Sequence, residues 1–499
     1  MRGALKQIHQ ALMDAGVGYI TYVPGYPVTD LAQSLGAEIA VNEKVAFECA
    51  LGASATGIRS LVVVKQLGMN ILADPLAISA THTTGAGIVI LVGEDLGPRG
   101  SQIEMDSRFY GPLTELPVLD PSAPDLHRAV TEAFRTSEEL SIPVILRVTS
   151  DVLEDASTES ITGAGIPASL QQTPRCFDRS IWDLTAKGRH QRHLAKVLPA
   201  LSEASESSAR MKLRGDTGVI ASGSVVPLAE TVCEETGSSL LVTLYSHPLP
   251  MRTIERFMGM HRLILVAEGP GPFIESHLKG VRGRLTGHLP YGCIRANDLR
   301  TAISLIHISD LRGSIEMETA AGRPARRSIC EGCPFLPLYS ALSRIDAPIA
   351  GDAGCTILSL RMGAVDMVYG LGSSIGVASG FREKGIAIVG DYALAHTGIQ
   401  GLINAIWHRK NVVVGVIWNR VAAMTGFQEV FDLEHVLRAL VPDMRTVEMP
   451  APDHEIERIL RDELSSPGVS LVIFKGTCTR SDARSSAVEH GISEQVRPN

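Results

Sequence analysis

Residues 390–419 read GDYALAHTGIQGLINAIWHRKNVVVGVIWN, with an Asp just after a Gly at one end and an Asn closing an apolar run at the other. Just before it, IAIV at 386–389 has the β-branched run of a buried strand. Within it, Ile399, Leu402, Ile403 and Ile406 recur at helical spacing, and VVVGVIW then reads as a second buried strand. A strand, a crossover helix and a strand make a parallel pair. Asp391 and Asn419 then both stand at strand C-terminal ends, where open α/β sheets receive ligands. Two side-chain oxygens there, with coordination left for phosphate oxygens, suit a hard octahedral cation such as Mg²⁺ carrying a diphosphate. The Val421 carbonyl, two residues past the Asn, is a candidate third ligand. An Asp capping a helix and an Asn in a turn would look the same, so the pair alone leaves both readings open.

The rest of the chain extends the pattern. With 499 residues, 45% apolar and 20% charged, it has room for about three domains. The formal charge of −8 is spread along the chain, which argues against a nucleic-acid surface. The first residues, MRGALKQIHQALMDAG, interrupt their apolar positions with Arg2, Lys6, His9 and Asp14 and read as an amphipathic helix rather than a signal peptide. No apolar run is long enough to span a bilayer. Eight cysteines without an export signal argue for reduced thiols or metal ligands and for a cytoplasmic protein.

GYITYV, SLVVVK, GIVILVG and PVILRV alternate with helix-like stretches, the signature of a helix-covered parallel sheet. A polar connection from about Asp151 to Asp216 follows, with helical spacing at Leu194, Val197 and Leu201. GVIASGS, SLLVTLY and RLILVAEG then mark a smaller α/β region, and SDLRGSIEMETAAGRPARRS a charged linker.

Gly-Asp, a helix, and an Asn 28 positions after the Asp resemble the diphosphate motif of thiamine diphosphate enzymes. GYPVTD, NEKVAFE, ADPLA, SQIEMDSRFYGPLTELPVLDP, EGPGPFIE, CEGCP, GDAGCT, GLGSSIG and NRVAAMTG follow in the order found in the alpha subunits of the indolepyruvate ferredoxin oxidoreductases, a family of the 2-oxoacid:ferredoxin oxidoreductase superfamily. The similarity spans nearly the whole chain and is weakest over residues 187–216. It implies the α/β thiamine diphosphate-binding fold, with two parallel-sheet cofactor domains and a smaller α/β domain between them. The pyrimidine-binding domain would be 1–155, the linker with helix 156–216, and the transketolase C-terminal-like domain 217–308. A second linker would cover 309–329, the diphosphate-binding domain 330–485 and a polar tail 486–499.

The resemblance also assigns roles. Glu43 would hydrogen-bond the aminopyrimidine ring, in preference to Glu48; a helix N-terminal acid favoured by the dipole is the bland alternative. Gly372, Ser374, Gly390, Asp391, Asn419, Val421 and Thr425 would bind thiamine diphosphate, with Asp391, Asn419 and Val421 on Mg²⁺. Arg108 would take the substrate carboxylate, Thr29 would approach the substrate, and His396 would move protons. Cys330, Cys333, Cys355 and Cys478 match the four ligands of one [4Fe-4S] cluster. A structural zinc site, or four buried cysteines of no special role, are the alternatives, although one tight pair and two singletons fit a zinc ribbon poorly. Cys49, Cys176, Cys233 and Cys293 read as packing residues.

Two departures stand out. Phe335 occupies the position of a His in close relatives, and the sequence ends at VRPN with no motif of the C-terminal ferredoxin-like domain those relatives carry. The implied activity is oxidative decarboxylation of an aryl or related 2-oxoacid, with coenzyme A taking the acyl group. Electrons would pass to ferredoxin or a separate iron-sulfur subunit, and a beta or gamma-type partner subunit and an oligomer are expected. Non-oxidative decarboxylation with the same cofactor is the alternative.

Overall fold

The computed structural model describes residues 3–97, 100–101, 103–155, 168–314 and 328–481. The chain divides into two compact units, Met1–Met317 and Glu318–Asn499.

In the first unit, strands β1 (Tyr19–Tyr22), β3 (Ser60–Lys65), β4 (Ile88–Glu94) and β6 (Val144–Thr149) are the four apolar runs read from the sequence, and β2 (Glu38–Ile39) and β5 (Val118–Leu119) are two-residue strands that it did not mark. β7 (Arg210–Lys212), β8 (Thr217–Ser222), β9 (Ser239–Thr243), β10 (Tyr245–His247) and β11 (Leu263–Ala267) follow. They form two sheets, ordered β10-β5-β6-β4-β3-β1-β2 and β11-β8-β9-β7. Every pairing in the first is parallel except that of β10 with β5. Residues of β3, β4 and β6 are buried on both faces, which is why these strands are nearly continuous apolar runs rather than alternating ones. The helix Gly3–Asp14 buries Ala4, Ile8, Ala11 and Leu12, the apolar stripe expected of it.

The middle α/β region has its own sheet but is not self-contained, because β10 completes the edge of the first sheet. The expected linker also contributes structure: after the helical run through Ser208, β7 pairs antiparallel with β9. Its charged Arg210 and Lys212 are exposed at the sheet edge, where charge discourages further strand pairing.

In the second unit, β12 (Ile349–Gly351), β13 (Met367–Val368), β14 (Gly385–Gly390) and β15 (Val412–Trp418) precede a short antiparallel ribbon of β16 (Val421–Ala422) and β17 (Gln428–Glu429). β18 (Arg445–Glu448) and β19 (Val469–Lys475) complete a six-stranded parallel sheet ordered β13-β12-β14-β15-β19-β18. The expected strand-helix-strand unit is present: β14 and β15 are parallel neighbours, in register from Gly385 opposite Val412 to Gly390 opposite Ile417. The crossover runs from Asp391 to Trp407, with a π-helical turn over Leu394–Gly398. The tail 486–499 and most of the second linker lie outside the described residues. Among the described residues, no helix is long and apolar enough to cross a membrane.

Candidate functional site

Asp391 follows the last residue of β14, and Asn419 the last of the adjacent β15. The Asp391 carboxylate accepts the N–H of Tyr392 at 2.8 Å through one oxygen and that of Arg420 at 2.6 Å through the other. Asn419 Oδ1 accepts the N–H of Val421 at 3.1 Å. The carboxylate of Asp391 is buried, and burial pushes its pKa up to about 6, against the pull of those backbone donors. A buried carboxylate held up by burial against its backbone donors and the nearby charge of Arg420, beside an amide oxygen, is the donor set a hard divalent cation would complete. The Val421 carbonyl accepts the N–H of Ala423 at 2.9 Å, which leaves its second lone pair. These residues fit Mg²⁺ and a diphosphate.

The neighbouring GLGSSIG segment is shaped by a residue the sequence reading passed over. Asp352, fully buried, accepts the N–H of Gly372 at 2.5 Å, and the N–H and hydroxyl of Ser374 at 3.1 and 2.9 Å. Gly372 sits at φ +78°, and a Cβ there would lie 2.0 Å from Thr397 Oγ1, so only glycine passes under the π-helical turn. Thr397 donates to the Leu371 carbonyl at 2.7 Å, and the buried His396 beside it is part of the same turn. Thr425 donates within its own turn, to the Ala422 carbonyl and to Gln428.

The four cysteines approach one another from three segments of the chain, the Cys330–Cys333 pair, Cys355 and Cys478. Burial, and then the charges of Cys478, Cys333, Cys330 and Asp391, push the Cys355 thiol up to about 12, while Cys333 is raised by burial first. Tyr339, packed in the same core, has its hydroxyl buried without a hydrogen-bond partner and feels the charges of Cys355 and Cys333. Thiols that resist ionising together, beside an orphaned donor, are chemically suited to a positively charged centre with sulfur acceptors. Among the described residues, however, no three His, Cys, Asp or Glu side chains stand close enough to hold a metal ion. As they stand, the four sulfurs are neighbours rather than a closed ligand set. None of the eight cysteines is joined in a disulfide; Cys233 is buried as expected of packing, whereas Cys49, Cys176 and Cys293 are exposed, which corrects that expectation for these three.

In the first unit, Glu43 opens the helix Glu43–Ala55, whose preceding Asn42 caps it by accepting the N–H of Val45 at 2.9 Å. Glu43 is buried, whereas Glu48 is drawn to the exposed Lys44. Gly68 is what makes room: a Cβ there would stand 2.4 Å from Glu43 Oε1 and 2.6 Å from its Cγ. Thr29 turns its hydroxyl back on Gly25, accepting the N–H at 2.8 Å and donating to the carbonyl at 3.0 Å.

Arg108 is fully buried in a closed network. Its Nε and Nη2 donate to the two oxygens of Asp106 at 2.8 and 2.6 Å, Nη1 to Glu268 at 2.5 Å, and Nη2 also to the Gly271 carbonyl at 2.9 Å. Burial opposes its charge, but Asp106 and Glu268 outweigh that and raise its pKa. A substrate carboxylate would have to displace a protein carboxylate to reach it. Arg147, equally buried on β6, bridges Glu94 at 2.5 Å and Asp120 at 2.6 Å.

Comparison with known proteins places these features. Residues 354–472 match the family model described as thiamine pyrophosphate enzyme, C-terminal TPP binding domain, a span that contains Asp391, Asn419, Gly372 and Cys355. A protein of Archaeoglobus fulgidus named indolepyruvate oxidoreductase subunit IorA is 28% identical, over 95% of this chain and 85% of the relative. The protein of the same name from Methanothermobacter thermautotrophicus is also 28% identical, over 94% of this chain and 85% of its own. Among solved structures, a 2-oxoglutarate:ferredoxin oxidoreductase from Magnetococcus marinus, with 2-oxoglutarate, coenzyme A and succinyl-CoA bound, overlaps 61% of this chain and 64% of its own at a TM-score of 0.46 and 13% identity.

Proposed function

The chain is a homologue of the indolepyruvate oxidoreductase subunits IorA along 95% of its length, and on that premise we propose that it is the catalytic subunit of a thiamine diphosphate-dependent oxidoreductase acting on aryl 2-oxoacids related to indolepyruvate. The observation that carries the reading is the pairing of Asp391 and Asn419 at adjoining strand ends, inside the span that matches the thiamine pyrophosphate domain.

Asp391, Asn419 and the Val421 carbonyl hold Mg²⁺ and the diphosphate, with Gly372 and Ser374, set in place by Asp352, lining the same edge. Bound thiamine diphosphate supplies the electron sink for the pair left when CO₂ departs. Glu43 holds a proton at the aminopyrimidine ring, its carboxylate kept in place by the cap at Asn42 and the gap at Gly68. His396, buried in the π-helical turn, would move protons, and Thr29 would approach the substrate, as the resemblance implies. Cys330, Cys333, Cys355 and Cys478 would be the ligands of a [4Fe-4S] cluster, a reading supported by the charges of the other three on Cys355. Coenzyme A accepts the acyl group, and a second oxidoreductase subunit and ferredoxin complete the system.

The test is purification under anaerobic conditions, with iron and acid-labile sulfide measured alongside arylpyruvate oxidation by a viologen acceptor. Four iron and four sulfide per chain with acceptor-dependent turnover are expected on the cluster assignment. Aldehyde formation from an iron-free protein would overturn the oxidative reading and leave decarboxylation alone.

A further inference from the structure

The apolar core behind the four cysteines holds a polar atom that has no partner among the described residues. Tyr339 lies on the helix Leu336–Leu342, which starts just past the Cys330–Cys333 pair. Its side chain is 1% exposed, and its hydroxyl meets no hydrogen-bond partner. Three cysteine-bearing segments surround it. Cys333 packs against the rim of its core, Phe474 in the same core belongs to β19, which leads to Cys478, and the helix packs on the 3-10 helix Cys355–Met362. The charges that the hydroxyl faces are those of Cys355 and then Cys333.

A buried hydroxyl left unpaired is costly, and native structures rarely keep one without a use. Burial first, and then the charges of the two cysteines, hold this phenol in its protonated form, so it is a donor that needs an acceptor. Sulfur is the acceptor at hand. Cys333 already draws the backbone N–H groups of Phe335 and Leu336. Cys355 acts more strongly on Tyr339 than Cys333 does, and it also faces Asp391, at the strand end assigned to the diphosphate. The cysteines do not stand close enough to close on one ion. A cube of four irons and four sulfides makes a different demand, because it sets each thiolate at its own corner and adds sulfide acceptors between them.

We propose that the Tyr339 hydroxyl donates a hydrogen bond to sulfur at the Cys355 corner of the [4Fe-4S] cluster and thereby raises the cluster's reduction potential. The proposal rests on the cluster assignment above. An electron entering the cluster adds negative charge that spreads over its sulfurs. An O–H dipole aimed at one of them therefore stabilises the reduced form more than the oxidised form. Tyr339 makes the cluster a better electron acceptor at the corner that faces the cofactor residues.

The experiment uses the full-length protein, purified and loaded with iron and sulfide in the absence of oxygen, as wild type and as Tyr339→Phe. Iron and sulfide are measured first. Phe fills the same core and removes only the hydroxyl. Redox titration followed by electron paramagnetic resonance of the reduced cluster should show the reduction equilibrium of the variant lower by about tenfold, which is about 59 mV for a one-electron couple. 3-Fluorotyrosine installed at position 339 is a stronger donor of nearly the same shape, and it should move the potential up. When loading is done in D₂O, the wild-type cluster should show a deuteron coupling in pulsed electron-nuclear double resonance that Tyr339→Phe lacks.

A tyrosine that only packs would leave the potential and the coupling unchanged, and either result overturns the proposal. If Tyr339→Phe fails to load its cluster, the fluorotyrosine protein decides by the sign of its shift, since an unchanged or lower potential there also overturns the proposal. A wild type that holds no iron and sulfide is a different result. It sinks the cluster reading itself, and the role of Tyr339 with it.

Discussion

Asp391 reaches across from the end of β14 to accept the backbone N–H of Arg420 at 2.6 Å, just beyond the end of β15. This bond ties the two strand ends that the site needs side by side, and it is made by the same carboxylate that is assigned to the cation. An Asn at 391 can still accept it through its one amide oxygen, giving up the bond from the Tyr392 N–H and lacking the charge. Asp391→Asn should therefore fold with at most a modest loss of stability and lose at least about 100-fold in Mg²⁺-dependent affinity for thiamine diphosphate, the upper end of what even outer-shell partners of a metal contribute. Calorimetric titration of the variant decides; wild-type affinity would remove Asp391 from the site.

Gly68→Ala isolates the placement of Glu43. The new methyl group would lie 2.4 Å from Glu43 Oε1, so the carboxylate must move by the better part of an ångström. Misplacement on that scale costs about 100-fold in rate. A fall in kcat of this order, with the thermal midpoint little changed, is the expected outcome. A simultaneous collapse of the midpoint would show instead that the methyl group disrupts packing generally.

Arg147→Met probes the buried network. The substitution strands Glu94 and Asp120, both nearly inaccessible, without their cation. Removing one partner of such a set destabilises by about 3–5 kcal/mol. Urea denaturation should show it, and Arg147→Met combined with Glu94→Gln and Asp120→Asn should recover part of the loss.

His247 governs part of the acid response. Burial, with a smaller contribution from His277, lowers its pKa from 6.5 to about 4. The unfolded chain thus takes up a proton on this imidazole at a higher pH than the folded one. The stability it confers is complete above about pH 6.5 and is lost as the pH falls toward 4. Between pH 7 and pH 4.5 the folded state should lose about 2–3 kcal/mol through this group. His247→Gln should lose that much less over the same interval in parallel denaturant titrations. Equal losses in the two proteins would remove His247 as the cause.

Much of the fold was legible because it rests on local pattern. Apolar runs such as SLVVVK and VVVGVIW are buried on both faces in the structure, and their spacing with an intervening helix determined parallel pairing and the positions of Asp391 and Asn419 at strand ends. Those placements follow from periodicities of two and 3.6 residues, which any short window contains. What the tertiary structure alone decided involves partners that no window contains. Arg108 meets Glu268 across 160 residues of chain, β10 joins the first sheet rather than its own region's, and Gly68 leaves the space that Glu43 fills. Lys65 stands beside Glu43 and Asp95 for the same reason: strand order brings three separate chain segments to one edge. The sequence by itself established which residue types sit at strand ends. Which acidic and basic side chains pair with one another there is a matter of burial and contact between distant segments, and only the assembled sheet sets it.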